Sequence, residues 1–333
     1  MRLKHKIMHG LSSTVTGECL VLLASNAWRG LHRPVYPSSI RREQFSTERD
    51  RLWKHLHALL PAAGHEVTEH CLRDQRVLVI GVGSTFGFAL LLLALGARKV
   101  VCIDPFLRDT DRKAEEMFAE YLLESIHWPS ARQRAMEHLA HVRANGSGRG
   151  FLVDGRQIRF HQVPLEESGG PLDADAPFDL IISNAVLEHL RDINVAMRRF
   201  KALLTPDGAM AHSFGFMNHT LFERSHSQKY LTFSPFAWKV MNSNGSPPNR
   251  CSLSHFRRAT TAAGLTGAIF TVTDRYSPEE TDYAMRHAHP ALVADNAEDM
   301  SAHQVILSLP RRTQVRAQEP TRSAAAASPA VSR

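Results

Sequence analysis

The chain has 333 residues, of which 43% are hydrophobic and 22% charged, and a formal net charge of +7; this is a globular composition and excludes collagen-like and wholly disordered classes. Four cysteines (Cys19, Cys71, Cys102, Cys251) with no CxxC pair exclude a disulfide scaffold or zinc ribbon and lead us to expect a reducing, cytoplasmic setting. The positive charge lies at the ends: residues 1–54 carry ten Lys/Arg against four Asp/Glu, residues 311–333 carry five Arg against one Glu, and residues 55–310 are left at −3, so nucleic acid is disfavoured as a partner.

The basic start Met1–Lys6 and the apolar run Cys19–Ala24 are interrupted by His9, Glu18 and other polar residues, so no cleaved signal is expected. Residues 1–71 read instead as an N-terminal helical arm, with a helical pattern around Arg49–Leu60. In His65-Glu-Val-Thr-Glu-His70 the histidines are five apart rather than the four of HExxH, which puts them on different helix faces. His287 and His289 lack a clear third ligand, and no metal is expected. From Val77 to Ala97 no residue is charged, long enough for a bilayer. Its β-branched start, Gly/Ser/Thr loop and apolar end before Gly96 read as strand, turn and buried helix, so no membrane anchor is expected.

From there strands and helices alternate. Strands are expected at Val77–Val82, Lys99–Ile103, Gln157–Val163, Phe178–Ser183, Ala209–Phe214, Gly267–Thr273 and His303–Leu309, and helices at Phe88–Leu95, Asp111–Ile126, Ala185–Leu204 and Ser254–Ala263. The pattern predicts an α/β fold, a doubly wound and mostly parallel seven-stranded sheet over residues 72–310, with ligands bound at the carboxyl ends of the strands. Residues 218–250 stand outside the alternation as a lid-like insertion rich in aromatics (Phe222, Tyr230, Phe233, Phe236, Trp238), which suits either an acceptor pocket or core beneath a lid. Residues 311–333, ending in SAAAASPAVSR, have too little apolar bulk to offset ordering and are expected to be a disordered tail.

The first strand runs into Gly81-Val82-Gly83-Ser84-Thr85-Phe86-Gly87 and then a helix. Glycines without Cβ let a ligand lie against the backbone at a helix N-terminus. Asp104 ends the next strand, 23 residues beyond Gly81, which suits a carboxylate that accepts from ribose hydroxyls. A dinucleotide and a nucleoside without phosphate, S-adenosylmethionine, both fit to this point.

VLVIGVGS (77–84), VVCIDPF with Asp104, FDLIISNAVLEHL (178–190) and LLTPDGAMAHSF (203–214) resemble the class I S-adenosylmethionine-dependent methyltransferases over about residues 72–310. FSPFAWKVMN and PPNR within 212–250 look like a bacterial small-molecule subgroup. The resemblance implies S-adenosylmethionine as cofactor, held by Gly81, Val82, Gly83, Ser84 and Asp104, with Pro105 and Phe106 near the adenine. It puts Asn184 and Ala185 beside the transferring methyl and Glu188 and His189 under the methionine end. Three positions depart from the family pattern: Val79 stands where an acid is usual, and Thr85 where a third glycine is usual. Val163-Pro164-Leu165-Glu166 replaces a Gly-Asp, leaving Glu166 as the one carboxylate for the adenine amino group.

Methyl transfer to a hydroxyl or ammonium needs a base. His212, at the end of the fifth strand, and His219, at the start of the insertion, are the expected base or acceptor-orienting residues because histidine titrates near neutrality. The sequence thus predicts a methyltransferase that acts on an O or N atom of a small-molecule acceptor. The alternatives are a degenerate, non-catalytic binding protein or an NADP-linked oxidoreductase. Oligomeric state is left open, a homodimer included.

Overall fold

The computed structural model describes residues 19, 20, 23, 24, 26, 27, 40–107, 110–145, 150–217, 227–242 and 247–311. His219, Phe222, the start of the N-terminal arm up to residue 39 (the six residues named above apart) and the tail beyond Arg311 lie outside the described residues.

Helix α1 (Phe45–Ala62) buries Phe45, Leu52, Leu56, Leu59 and Leu60 along one stripe, the spacing of an amphipathic helix on a core. Strand β1 (Arg76–Ile80) follows, then α2 (Gly87–Ala94), β2 (Lys99–Ile103), α3 (Arg112–Glu124), α4 (Pro129–Asn145), β3 (Ile158–His161), α5 (Pro171–Asp175) and β4 (Phe178–Asn184). The second half runs α6 (Ile193–Leu203), β5 (Leu204–Gly215), α7 (Pro235–Asn242), α8 (Leu253–Ala262), β6 (Ile269–Arg275), α9 (Pro278–His287), α10 (Ala297–Met300) and β7 (Ala302–Leu309). The uncharged stretch 77–97 is strand, turn and helix as expected, and no helix among the described residues is long and apolar enough to cross a membrane.

The sheet has the order β3-β2-β1-β4-β5-β7-β6. Strands β1 to β5 are parallel, and β7 is antiparallel to both β5 and β6. The predicted doubly wound, mostly parallel seven-stranded sheet is therefore present. Strand order reverses between β1 and β4, and the crevice at that switch point is where such sheets bind ligands.

Residue alternation divides the core between the two faces. Val77, Val79, Val100, Cys102, Leu180 and Ile182 lie with α1, α2, α3 and α4. Leu78, Ile80, Val101, Ile103, Ile181 and Met210 lie with α6 and α8. A third cluster joins Tyr230, Leu231, Trp238 and Met241 of the insertion to Ala284, Ala288, Ala294 and Met300 around α9 and α10.

The expected helix Ala185–Leu204 is two elements. Ala185 adopts a left-handed φ of 53°, a 3-10 turn spans Leu187–His189, and α6 starts only after Asp192, whose carboxylate accepts from the Asn194 and Val195 amides. Asp192 is an N-cap, so the apolar periodicity masks a break. Among the described residues, five helices fell outside the expected set: α4, α5, α7, α9 and α10. Helix α9 carries a capping box, Ser277 with Glu280, ahead of Pro278 at its first position.

Candidate active site

At the β1–β4 switch point lies a cavity of about 330 Å³, within the range of small-molecule sites. Its floor is the turn after β1. Gly81 has φ +79°, and a Cβ there would meet Val186 Cγ2 at 2.5 Å; Gly83 has φ +72°. Only glycine serves at Gly81, because both the left-handed backbone and the close approach exclude a side chain. Thr85 is buried and its hydroxyl accepts from the Gly87 amide, so it caps the entry to α2. Glu115 on α3 accepts from the amides of Phe86 and Phe151 and fixes the end of the turn from below.

Asp104 lines the same cavity. Its Oδ2 accepts from the Val82 amide at 3.2 Å, and its Oδ1 from the amides of Phe106 and Leu107 at 2.9 and 3.1 Å. One carboxylate thus ties the glycine turn to the turn after β2. A carboxylate offers about four acceptor positions, so these three amides leave capacity for a hydroxyl of a sugar. Asn184, Ala185 and Val186, at the end of β4, form the opposite wall with His189.

A second cavity of about 310 Å³ adjoins the first, and Phe106, Val186 and His189 line both. Pro105 and Glu166 line this second space, and Glu166 Oε1 accepts from the Arg191 amide at 2.9 Å. Of the sequence-predicted site residues, Gly81, Val82, Gly83, Asp104, Phe106, Asn184, Ala185 and His189 meet at the first cavity and Pro105 and Glu166 at the second. Ser84 lies behind the turn, where its hydroxyl donates to Glu48 Oε1 at 3.1 Å.

His212 requires a correction. It is fully buried on the α6 side of the sheet, its ring stacked on Phe200 at 4.6 Å and its Nδ1 sharing a hydrogen bond with Ser183 Oγ at 2.8 Å. Burial pushes its pKa down to about 3. Strand alternation sets it beside Met210 and Phe214 in the core rather than at the cavity, so it is not positioned as a base. Proximity to a strand end did not distinguish the two faces. The aromatics of the insertion divide similarly. Tyr230 and Trp238 are core, Phe236 is 77% exposed, and none of the described ones lines the first cavity.

The sequence reading missed the polar face of α1. Arg51 and His55 line the cavity opposite the glycine turn, beside Leu52 and Val79. Glu48, Arg51 and His55 recur at i, i+3 and i+7, the spacing of one helix face, and that periodicity is the signal that could have found them. Burial, then the neighbouring Arg51 and Lys54 charges, push the His55 pKa down to about 4, so it is neutral at pH 7.

A family model described as "Methyltransferase domain" matches residues 45–267, beginning at the first residue of α1. No curated protein matches the sequence. Among solved structures, the chain is similar to the YcgJ protein of Bacillus subtilis (15% identity, TM-score 0.37, 78% of this chain and 100% of that one). It is also similar to an S-adenosylmethionine-dependent methyltransferase of Mesorhizobium loti (18% identity, TM-score 0.40, 78% and 97%). A third similar structure is Haemonchus contortus phosphoethanolamine N-methyltransferase 2 in complex with S-adenosyl-L-methionine (16% identity, TM-score 0.41, 78% and 52%).

Proposed function

The chain belongs to the methyltransferase-domain family, and from that premise we propose that it transfers the methyl group of S-adenosylmethionine to an oxygen or nitrogen atom of a small-molecule acceptor. The observation that carries this reading is the cavity bounded by the Gly81–Gly83 turn, Asp104 and the end of β4. Its donor set fits a nucleoside: a carboxylate with spare acceptor capacity for a ribose, bare backbone beside it, and the apolar Phe106 shared with an adjoining space.

When bound, S-adenosylmethionine supplies an electrophilic methyl for in-line displacement. The chain's own residues orient and exclude water. Asp104 accepts from the ribose hydroxyls, Pro105 and Phe106 flank the adenine, and Glu166 faces its amino edge from the second cavity. Asn184 and Ala185 wall the reacting end. His189, which lines both cavities, lies under the methionine end as a cofactor contact, and His219 of the insertion is assigned to take the acceptor's proton, a role that rests on sequence alone. The net charge of −3 over residues 55–310 supports a small acceptor over a nucleic acid, whose phosphates favour a basic face.

Calorimetry with S-adenosylhomocysteine tests the cofactor assignment, and transfer of labelled methyl to a panel of small hydroxyl and amine compounds tests the acceptor. We expect micromolar binding, and a loss of roughly 10- to 100-fold in Asp104→Ala from charged hydrogen bonds to the sugar. Absence of binding at millimolar ligand would overturn the cofactor assignment. Label found only on protein or nucleic acid would overturn the acceptor class.

A further inference from the structure

Two helical surfaces turn apolar side chains to solvent, and they adjoin. Along α7, Trp238 and Met241 are buried in the third core cluster, whereas Phe236 is 77% and Val240 45% exposed on the other face. Residues 19, 20, 23, 24, 26 and 27 are helical and repeat the arrangement. Asn26 is buried and its Nδ2 donates to the Val240 carbonyl at 2.8 Å. Cys19, two turns earlier on the same face, packs against the Trp238 cluster. That leaves Leu20, Leu23, Ala24 and Ala27 exposed at i, i+3, i+4 and i+7, Leu20 to 55% and Leu23 to 39%. A helix on a globular core turns that stripe inward and its polar face outward. Here the outer faces are apolar as well, and the Asn26–Val240 contact sets them side by side.

Charge selects what covers this face. Residues 19–42 contain four Arg, residues 227–242 contain two Lys, and neither stretch contains an Asp or Glu. Lys239 is exposed between Phe236 and Val240, and neither it nor Lys229 makes an ion pair among the described residues. Helix α9, which shares the core cluster, holds Glu280 in its capping box and Asp282 with Arg286. Apolar tips interleaved with unpaired cations complement an anionic bilayer: the tips enter the boundary of the acyl chains while the cations meet lipid phosphates. A second copy docked through the same patch would bring like charges together across the two-fold. Nucleic acid would set Phe236, Leu20 and Leu23 against phosphates that they cannot complement.

We infer that the face formed by Leu20, Leu23, Phe236, Lys239 and Val240 docks this protein on an anionic membrane surface, lying in the interface without crossing it. The face is fixed to the body of the molecule, because Tyr230 Oη donates to the Phe216 carbonyl at 3.0 Å, just past the end of β5. Docking there does not depend on which ligand fills the cavity.

The test is sedimentation of the full chain with vesicles of phosphatidylcholine alone and of phosphatidylcholine mixed with phosphatidylglycerol. The chain should pellet with the mixed vesicles and stay in solution with the neutral ones, and added salt should weaken the binding. Phe236→Ser should lower the partition coefficient by roughly 10- to 100-fold, and Lys239→Gln by about fivefold. Leu23→Ser should also lower it. These side chains are exposed, so the Tm of each variant should stay close to that of the unmodified chain; if Phe236→Ser fails to fold, Leu23→Ser and Lys239→Gln decide. No pelleting with the mixed vesicles, or equal pelleting with both kinds, would overturn the inference. Undiminished binding in all three variants would place the contact on other basic segments and overturn it too. A dimer in light scattering that Phe236→Ser splits would assign the face to a second copy. Displacement from vesicles by RNA that Phe236→Ser still binds in full would assign it to nucleic acid. Either result would refute membrane docking.

Discussion

Glu188 sits in the turn between β4 and α6, buried to 3% exposure. Burial pushes its carboxyl up to about 7, against the opposing hydrogen bonds of the Glu188 and Gly215 amides. A carboxyl raised in the folded state is held protonated there, so the stability it confers is full below the unfolded value near 4.5 and is lost as pH rises to about 7. The size of that loss is about 3 kcal/mol. Glu188→Gln should flatten the decline in unfolding free energy between pH 4.5 and 7, measured by urea denaturation across that range; an unchanged slope would show that Glu188 titrates normally. How much of the residue-scale picture could be read from sequence depends on how local its causes are. Gly81, Gly83 and Asp104 were legible because a left-handed turn and a strand-end carboxylate are set by neighbours in the chain. The burial of Glu188 was not, because it comes from distant residues such as Asn249, which donates its amide to the Glu188 carbonyl and its side chain to the Leu187 carbonyl.

Helix α5 shows how one short element can organise several others. Its last residue, Asp175, has a side chain only 3% exposed and receives Lys99 from β2 at 2.6 Å and Arg159 and His161 from β3 at 2.7 Å each. Arg76 at the start of β1 reaches its backbone carbonyl. Burial pushes the Asp175 carboxyl up, but the hydrogen bonds and charges of His161, Lys99 and Arg159 outweigh it and hold the pKa below the usual value. Stability from such a depressed carboxyl is present above the unfolded pKa and is lost as pH falls through the folded one. Because removing this buried carboxylate leaves the Lys99 and Arg159 charges uncompensated and takes the hydrogen-bond partner of His161, Asp175→Ala should cost about 3–5 kcal/mol. Thermal unfolding at pH 7 checks this, and a change below 1 kcal/mol would show that the cluster rearranges at little cost. Elements with a continuous apolar run, such as β1, β2 and β4, were legible in the sequence, since strands buried on both faces carry that signature. Helix α4 was not: its 17 residues, PSARQRAMEHLAHVRAN, carry few strong apolar residues and bury small ones, Ala131 and Ala135, with Leu139 and Val142.

At the scale of the whole molecule, the cavity is where both faces of the sheet and α1 meet. Leu52 and Val79 belong to one core cluster and Val186 packs on the other, and all three line it. A ligand bound there to the native chain alone stabilises it by mass action, by about 2.7 kcal/mol at a hundredfold excess over Kd. S-adenosylhomocysteine should therefore raise the Tm in proportion to the logarithm of its concentration, as differential scanning fluorimetry can follow. A Tm independent of ligand would show that S-adenosylhomocysteine does not bind the native chain in preference to the unfolded one. The amino-acid order alone determined the α/β alternation, the glycine turn and the strand-end acid, because hydrophobic periodicity and turn chemistry act between near neighbours. Tertiary structure decided the rest. It turned His212 toward Phe200 instead of the cavity, made core of Tyr230 and Trp238, and set Arg51 over the glycine turn. Each of these depends on which face of an element meets another element far along the chain, and a side chain's partners across such a gap are written in no local pattern.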